Sequence, residues 1–148
     1  MKTQISILFL GLAISFSACK KKKADPLAPV SETNETAPTK STVLKKGSFS
    51  SYEHSLAGDA VFIKDSTGNT ILRLEKFTMT SGPDVDVLLS KTSSYSSSNV
   101  IKIADLNASY SNNALNFDFD DKIDLTVYKH VIIWCAQANV SFGDSEPK

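Results

Sequence analysis

The chain has only two cysteines, two histidines and one tryptophan in 148 residues, and no apolar run longer than about a dozen. Each shortage excludes something. Two cysteines cannot build the disulfide framework of a small secreted scaffold, and the Cys-x-x-Cys-His motif that attaches haem covalently is absent. Two histidines leave no metalloprotease pair, and six scattered glycines form no phosphate-cradling loop or nucleophile elbow. With no stretch of roughly 20 apolar residues there is no transmembrane helix. Net charge is zero, which argues against a generally basic nucleic-acid binder.

The one apolar run present is informative. Ile5 to Ala18 follows Met1-Lys2 and ends Phe16-Ser17-Ala18-Cys19. A short apolar core closed by small residues is the pattern of a cleaved signal peptide, and a cysteine placed directly after it is the pattern of a bacterial lipoprotein. Residues 1–18 are then a signal peptide, and Cys19, as the new N-terminus, carries lipid. Two or more acyl chains give stable anchoring, since each buried methylene contributes about 0.8 kcal/mol. The competing reading is an ordinary secreted protein in which Cys19 is incidental, and Phe16 favours it, because an aliphatic residue is commoner three places before a lipidated cysteine. Lys20 follows Cys19 directly, with no Asp to retain a lipoprotein at the inner membrane, so the expected address is the outer membrane of a bacterial envelope.

Residues 19–46 form the expected linker. Lys20 to Lys23 is a run of like charges suited to anionic head groups, and Ala24 to Thr42 is Pro, Thr, Ser, Glu and Asn with little to bury. From Gly47 to Lys148 there are 8 Lys and Arg against 13 Asp and Glu, a balance of −5. The domain is therefore acidic while the tether is basic, and nucleic acid is not an expected partner of either.

Residues 47–148 suffice for one core. Their apolar residues alternate or come in short β-branched and aromatic runs, which predicts an all-β antiparallel sandwich or barrel after a disordered tether. Strands are expected near Gly47 to Tyr52, Ala60 to Lys64, Ile71 to Met79, Val85 to Leu89, Val100 to Ile103, Leu115 to Phe119, Val127 to Cys135 and Asn139 to Phe142. Ser66-Thr67-Gly68-Asn69 predicts a hairpin turn. Gly82-Pro83-Asp84 predicts a rigid corner in which the Asp84 side chain accepts backbone N–H groups, and residues 90–99 a polar loop.

With Cys19 lipidated, Cys135 is the sole free thiol, in a compartment that oxidises thiols. Strand alternation in Tyr128 to Cys135 puts Val131, Ile133 and Cys135 on one face and His130, Ile132 and Trp134 on the other. Both faces are apolar, so this strand should be central and buried. Cys135 is then either a small core hydrophobe or a reactive thiol or ligand.

Three ordered blocks carry a resemblance. Gly47-Ser48-Phe49 with His54 and Gly58 opens the first. Leu72 to Phe77 followed by Gly82-Pro83-Asp84 and Val85 to Leu89 forms the second, and Tyr128 to Cys135 with Val140-Ser141-Phe142-Gly143 the third. In this order they resemble the DM-thirteen domain, a family proposed to transfer electrons. The resemblance implies a β-rich domain whose cysteine, here Cys135, serves as a bare thiol or as the ligand of a prosthetic group such as haem. The ending Asp144-Ser145-Glu146-Pro147 departs from the small-then-apolar close of that pattern and puts the last strand contact in doubt.

A working thiolate needs a neighbouring cation or dipole. His54, in the first block, is the candidate partner, as base or co-ligand; His130 is the weaker one, because it points to the opposite face. Copper is disfavoured, since residues 136–148 supply neither His nor Met after the Cys, and structural zinc lacks a fourth ligand. The run Asp118 to Asp124 has no calcium-loop spacing and reads as a solvated turn. Two classes of function remain: a redox module at the membrane surface working with another redox protein, and a non-catalytic envelope domain that binds a partner. Neither requires an enzyme with its own substrate pocket.

Overall fold

The computed structural model describes residues 35–148 apart from Glu53. Signal peptide, Cys19 and the Lys run lie outside the described residues.

Nine strands are present among the described residues, and no helix: β1 Thr42–Ser48, β2 Ser50–Ser51, β3 Leu56–Lys64, β4 Thr70–Met79, β5 Val85–Ser90, β6 Val100–Leu106, β7 Tyr110–Asp118, β8 His130–Cys135 and β9 Val140–Ser145. They form two antiparallel sheets, of order β1-β3-β4-β7 and β2-β9-β8-β5-β6. This is the expected sandwich. Alternation supplies its core: Phe62, Leu72, Leu74, Phe77 and Leu115 from the first sheet meet Val85, Val87, Leu89, Val131 and Ile133 from the second. Fully burying such side chains is worth roughly 1.5–3 kcal/mol each, so this layer outweighs the polar contacts around it.

The turns form where the sequence marks them. Asp65 Oδ1 accepts Thr67 N–H at 2.8 Å and Asn69 N–H at 2.9 Å, and Gly68 takes φ +94°, closing the β3–β4 hairpin. Gly82-Pro83-Asp84 is the corner that carries the chain from the first sheet into the second. A Cβ on Gly82 would lie 2.6 Å from Val85 Cγ2, so the corner packs too tightly for a side chain. The hydrogen bond there differs from expectation: the Asp84 backbone carbonyl, not its carboxylate, accepts Ala136 N–H at 2.7 Å. The carboxylate instead lies beside Asp86 and Asp105.

Some boundaries move. β1 begins at Thr42, ahead of Gly47, because the β3 edge is open to pairing by polar residues as well as apolar ones. Just before it, Glu35 N–H donates to Ala114 O at 2.8 Å and Glu35 Oε2 accepts Asn116 N–H, holding the chain against the other edge strand, β7. β8 starts at His130 and not Val127, since the Asp124 carbonyl takes the N–H groups of Val127 and Tyr128 in a turn. β9 runs through Asp144 to Ser145, so the atypical tail does complete the strand, paired to β8 on one side and to Ser50 and Ser51 on the other.

Candidate functional site

β8 is the central strand of the second sheet, flanked by β9 and β5. Cys135 is 1% exposed and faces the core with Val131 and Ile133. Its cross-strand partners are Val85 and Val140. A Cβ built on Gly82 would stand 3.6 Å from Cys135 Sγ and 3.2 Å from Phe142 Cζ, so thiol, corner and phenyl ring meet at one point. Phe142 reaches that point through a β-bulge. Ile133 pairs with Gly143 and Trp134 with Ser141, leaving Phe142 as the extra residue, turned inward.

His54 approaches from the loop between β2 and β3. Its imidazole stacks on the Phe142 ring, with centroids 4.2 Å apart and 26° between planes, and its carbonyl accepts Ser51 Oγ–H at 2.6 Å. The two candidates of the sequence therefore come to one end of the sandwich through a shared neighbour, Phe142. No hydrogen bond joins the imidazole to the thiol among the described residues. A haem held through this thiol does not fit: Sγ is enclosed, and the space beside Gly82 will not take even one more carbon.

His130 lies on the opposite face, as alternation requires. There its Nδ1 is 3.0 Å from Asp144 Oδ2, while Tyr52 Oη–H donates to Asp144 Oδ1 at 2.5 Å. This bond to the carboxylate, helped by partial burial, pushes the Tyr52 phenol up to about 12. On the same face Trp134 stacks on Tyr95, with centroids 4.1 Å apart and planes within 7°. Tyr128, which packs against the inner core, has Lys91 Nζ 5.4 Å over its ring. Tyr52, Trp134, Asn139, Val140 and Ser141 line a shallow pocket of about 250 Å³.

Residues 48–146 match the family model for the electron transfer DM13 domain. The chain belongs to this family. No curated protein and no solved structure shows significant similarity to it. Membership points to electron transfer as the role of the DM13 domain, and the match takes in Cys135, His54 and the whole Tyr52–Asp144–His130 group.

Two acidic groups of the domain are differently engaged. Within Asp118 to Asp124, Asp124 Oδ1 closes a turn by accepting Thr126 N–H at 2.7 Å, and Asp121 Oδ1 ties the segment to the start of β4 by accepting Thr70 N–H at 2.9 Å. Asp84, Asp86 and Asp105 offer carboxylate oxygens all within 4.8 Å of one another, yet Lys102 Nζ already stands among them, 2.7 Å from Asp86 Oδ1 and 2.6 Å from Asp105 Oδ1. Its contact to the buried Asp86 Oδ1 is close but lies outside good hydrogen-bond angles, so it is an ion pair rather than a directed bond. Sequence reasoning passed over Tyr52, Tyr95 and Asp144. Asp144 entered it only as an unusual ending, although a carboxylate inside an alternating strand is itself a signal for a buried partner.

Proposed function

We propose that this protein is an electron-transfer domain tethered outside a bacterial membrane by lipid on Cys19, with Cys135 as its buried redox thiol. One observation carries the choice of mechanism: Cys135 is 1% exposed. Thiol–disulfide exchange needs a second sulfur to reach the first, and burial bars that approach. Electron transfer needs no such contact. The reading is therefore a one-electron centre that works with another redox protein, and His54, stacked on the Phe142 ring, is the imidazole at that end of the strand.

A second reading is favoured by the pocket between Tyr52 and Trp134, which suits an envelope domain that binds a partner and moves no electrons. Voltammetry on the mature lipidated protein separates the two. A one-electron wave that disappears in Cys135→Ala while the circular dichroism spectrum stays unchanged supports the thiol centre. Loss of the wave to His54→Ala as well would add the imidazole to it. No wave in the wild type, with an unaltered cell phenotype in Cys135→Ala, gives the function to binding. In the native protein Cys135 should react with a thiol reagent slower by about 10³-fold or more than in urea, because reaction waits on opening of the core. Cys19→Ser should release the protein from membranes; acyl-free wild type in mass spectrometry would refute the anchor.

A further inference from the structure

The outer face of β8 carries a group that the thiol centre does not use. Asp144 is 9% exposed, and both its oxygens are engaged, Oδ1 by the Tyr52 phenol at 2.5 Å and Oδ2 by His130 Nδ1 at 3.0 Å. The Tyr52 residue, by contrast, is 51% exposed, so its ring is open to a reagent or a docked protein while its hydroxyl is tied to a carboxylate behind it. Trp134 lines the same pocket wall and immediately precedes Cys135 in the chain.

A phenol is a poor one-electron donor when its proton has nowhere to go, because loss of the electron alone leaves a strongly acidic radical cation. A base already hydrogen-bonded to the hydroxyl removes that obstacle. We infer that Tyr52, Asp144 and His130 form a proton-coupled one-electron site at the surface of the domain, through which electrons pass between the protein and a metal-centred redox partner. One electron leaves the Tyr52 ring for the metal oxidant. The Tyr52 O–H bond breaks as an O–H bond to Asp144 Oδ1 forms, leaving a neutral phenoxyl radical and a protonated carboxyl. Re-reduction by one electron returns the proton to the phenol. His130 is a positioning residue: its Nδ1 holds Oδ2 and so keeps Oδ1 aimed at the phenol.

The other phenols are differently placed. Tyr110 is buried at 4% exposure, and Tyr128 lies beneath the Lys91 ammonium, which opposes positive charge on its ring. Tyr95 is stacked on Trp134. Tyr52 is thus the phenol that combines an open ring with a waiting base.

The inference rests on the electron-transfer reading, but its test reads Tyr52 directly and owes nothing to Cys135. The mature protein is oxidised with photogenerated tris(bipyridine)ruthenium(III), freeze-quenched and examined by electron paramagnetic resonance. A tyrosyl signal should form and be mostly lost in Tyr52→Phe but kept in Tyr95→Phe. In Asp144→Asn, which keeps the shape and an acceptor oxygen but not the base, oxidation of Tyr52 should slow by on the order of 10²-fold, and added imidazole buffer should restore it. A merely structural Asp144 would show neither the slowing nor the rescue. The chain has 4 tyrosines, so a Tyr52→Phe signal reduced by only about a quarter would mean that all phenols share the oxidation equally and would overturn the inference. An Asp144→Asn rate equal to wild type would do the same. Success here with a wave that survives in Cys135→Ala moves the redox centre to the outer face; failure here with a Cys135-dependent wave leaves the buried thiol standing alone.

Discussion

Along β8, Val131, Ile133 and Cys135 point into a dry interior while His130, Ile132 and Trp134 point the other way, where aromatic and charged side chains gather. The inward face holds its thiol among apolar groups, at a corner closed by Gly82 and Phe142. The outward face holds its carboxylates in partnerships: Asp144 with Tyr52 and His130, Asp86 with Lys102. One strand thus presents two chemistries about a strand's thickness apart. The inward side stabilises by burial and excludes reagents, whereas the outward side keeps its carboxylates in contact with side chains that solvent reaches, Tyr52 and Lys102. An electron carrier needs both, a protected centre and a surface that a partner can address.

The sharpest way to break this division is to empty the inward face. Phe142 is 3% exposed and touches both the thiol corner and the His54 ring. Phe142→Ala should cost about 3–5 kcal/mol in denaturant unfolding, as for other large-to-small core changes. It should also make Cys135 reactive toward thiol reagents under native conditions. A cost below about 1 kcal/mol would mean that this corner is loosely packed and that the contrast between the faces is weak.

An intermediate effect is expected from the outward charges. Lys102→Met removes the ammonium beside Asp86, whose residue is 7% exposed, and leaves a carboxylate in the sheet without its cation. Because Lys102 is itself half-exposed, the cost should fall below the 3–5 kcal/mol of a fully buried pair, at about 1–3 kcal/mol. Combining it with Asp86→Leu should recover most of the loss. If the double variant is no better than the single one, the ion pair is not what holds β5 to β6.

The inward face was legible from sequence and the outward one was not, for a physical reason. Alternation in Tyr128 to Cys135 is a local pattern, so which residues share the Cys135 face, and the burial of both faces, could be read from eight consecutive residues. The Gly82-Pro83 corner and the Asp65 to Asn69 turn are equally local. Tyr52 and Asp144 stand 92 residues apart, and His130 and Asp144 14 apart, so their meeting depends on β2 pairing with β9 and β9 with β8. Edge pairing also hid the start of β1, since Thr42 to Lys46, whose Val43 and Leu44 stay exposed, gains its place from hydrogen bonds to β3 and not from apolar burial. The Asp84 side chain was misread because a turn-forming dipeptide suggests a capping carboxylate, whereas the backbone carbonyl takes that role and the carboxylate joins Asp86 and Asp105.

The smallest effect is a difference in pH dependence between the sheets. On the first sheet, Asp59 is held below its ordinary value of 3.8, chiefly by the Ser48 hydroxyl, which donates to it at 2.6 Å, and further by Lys46. Its contribution is present above 3.8 and is lost as pH falls through the lowered folded value. On the second sheet, Asp86 is raised above 3.8, chiefly by burial, with Lys102 opposing and the charges of Asp105 and Asp84 adding to the rise. There the folded state binds the proton more tightly than the unfolded chain, so the sign reverses. Stability from Asp86 is full below 3.8 and is lost as pH rises from there through its raised folded value. Asp84→Asn removes one of the like charges while keeping its backbone bond to Ala136, and should lower the Asp86 value. The variant should therefore gain about 0.2–1 kcal/mol at neutral pH, the scale of exposed charge pairs, and lose none at acid pH, where Asp86 is protonated in both proteins. Asp59→Asn should do the opposite, losing stability at neutral pH and converging on wild type in acid. Urea unfolding of the three proteins between acid and neutral pH measures both slopes. If the Asp84→Asn and wild-type curves run parallel, Asp86 is screened by Lys102 alone, and the outward face is less strained by its own charge than its crowding indicates.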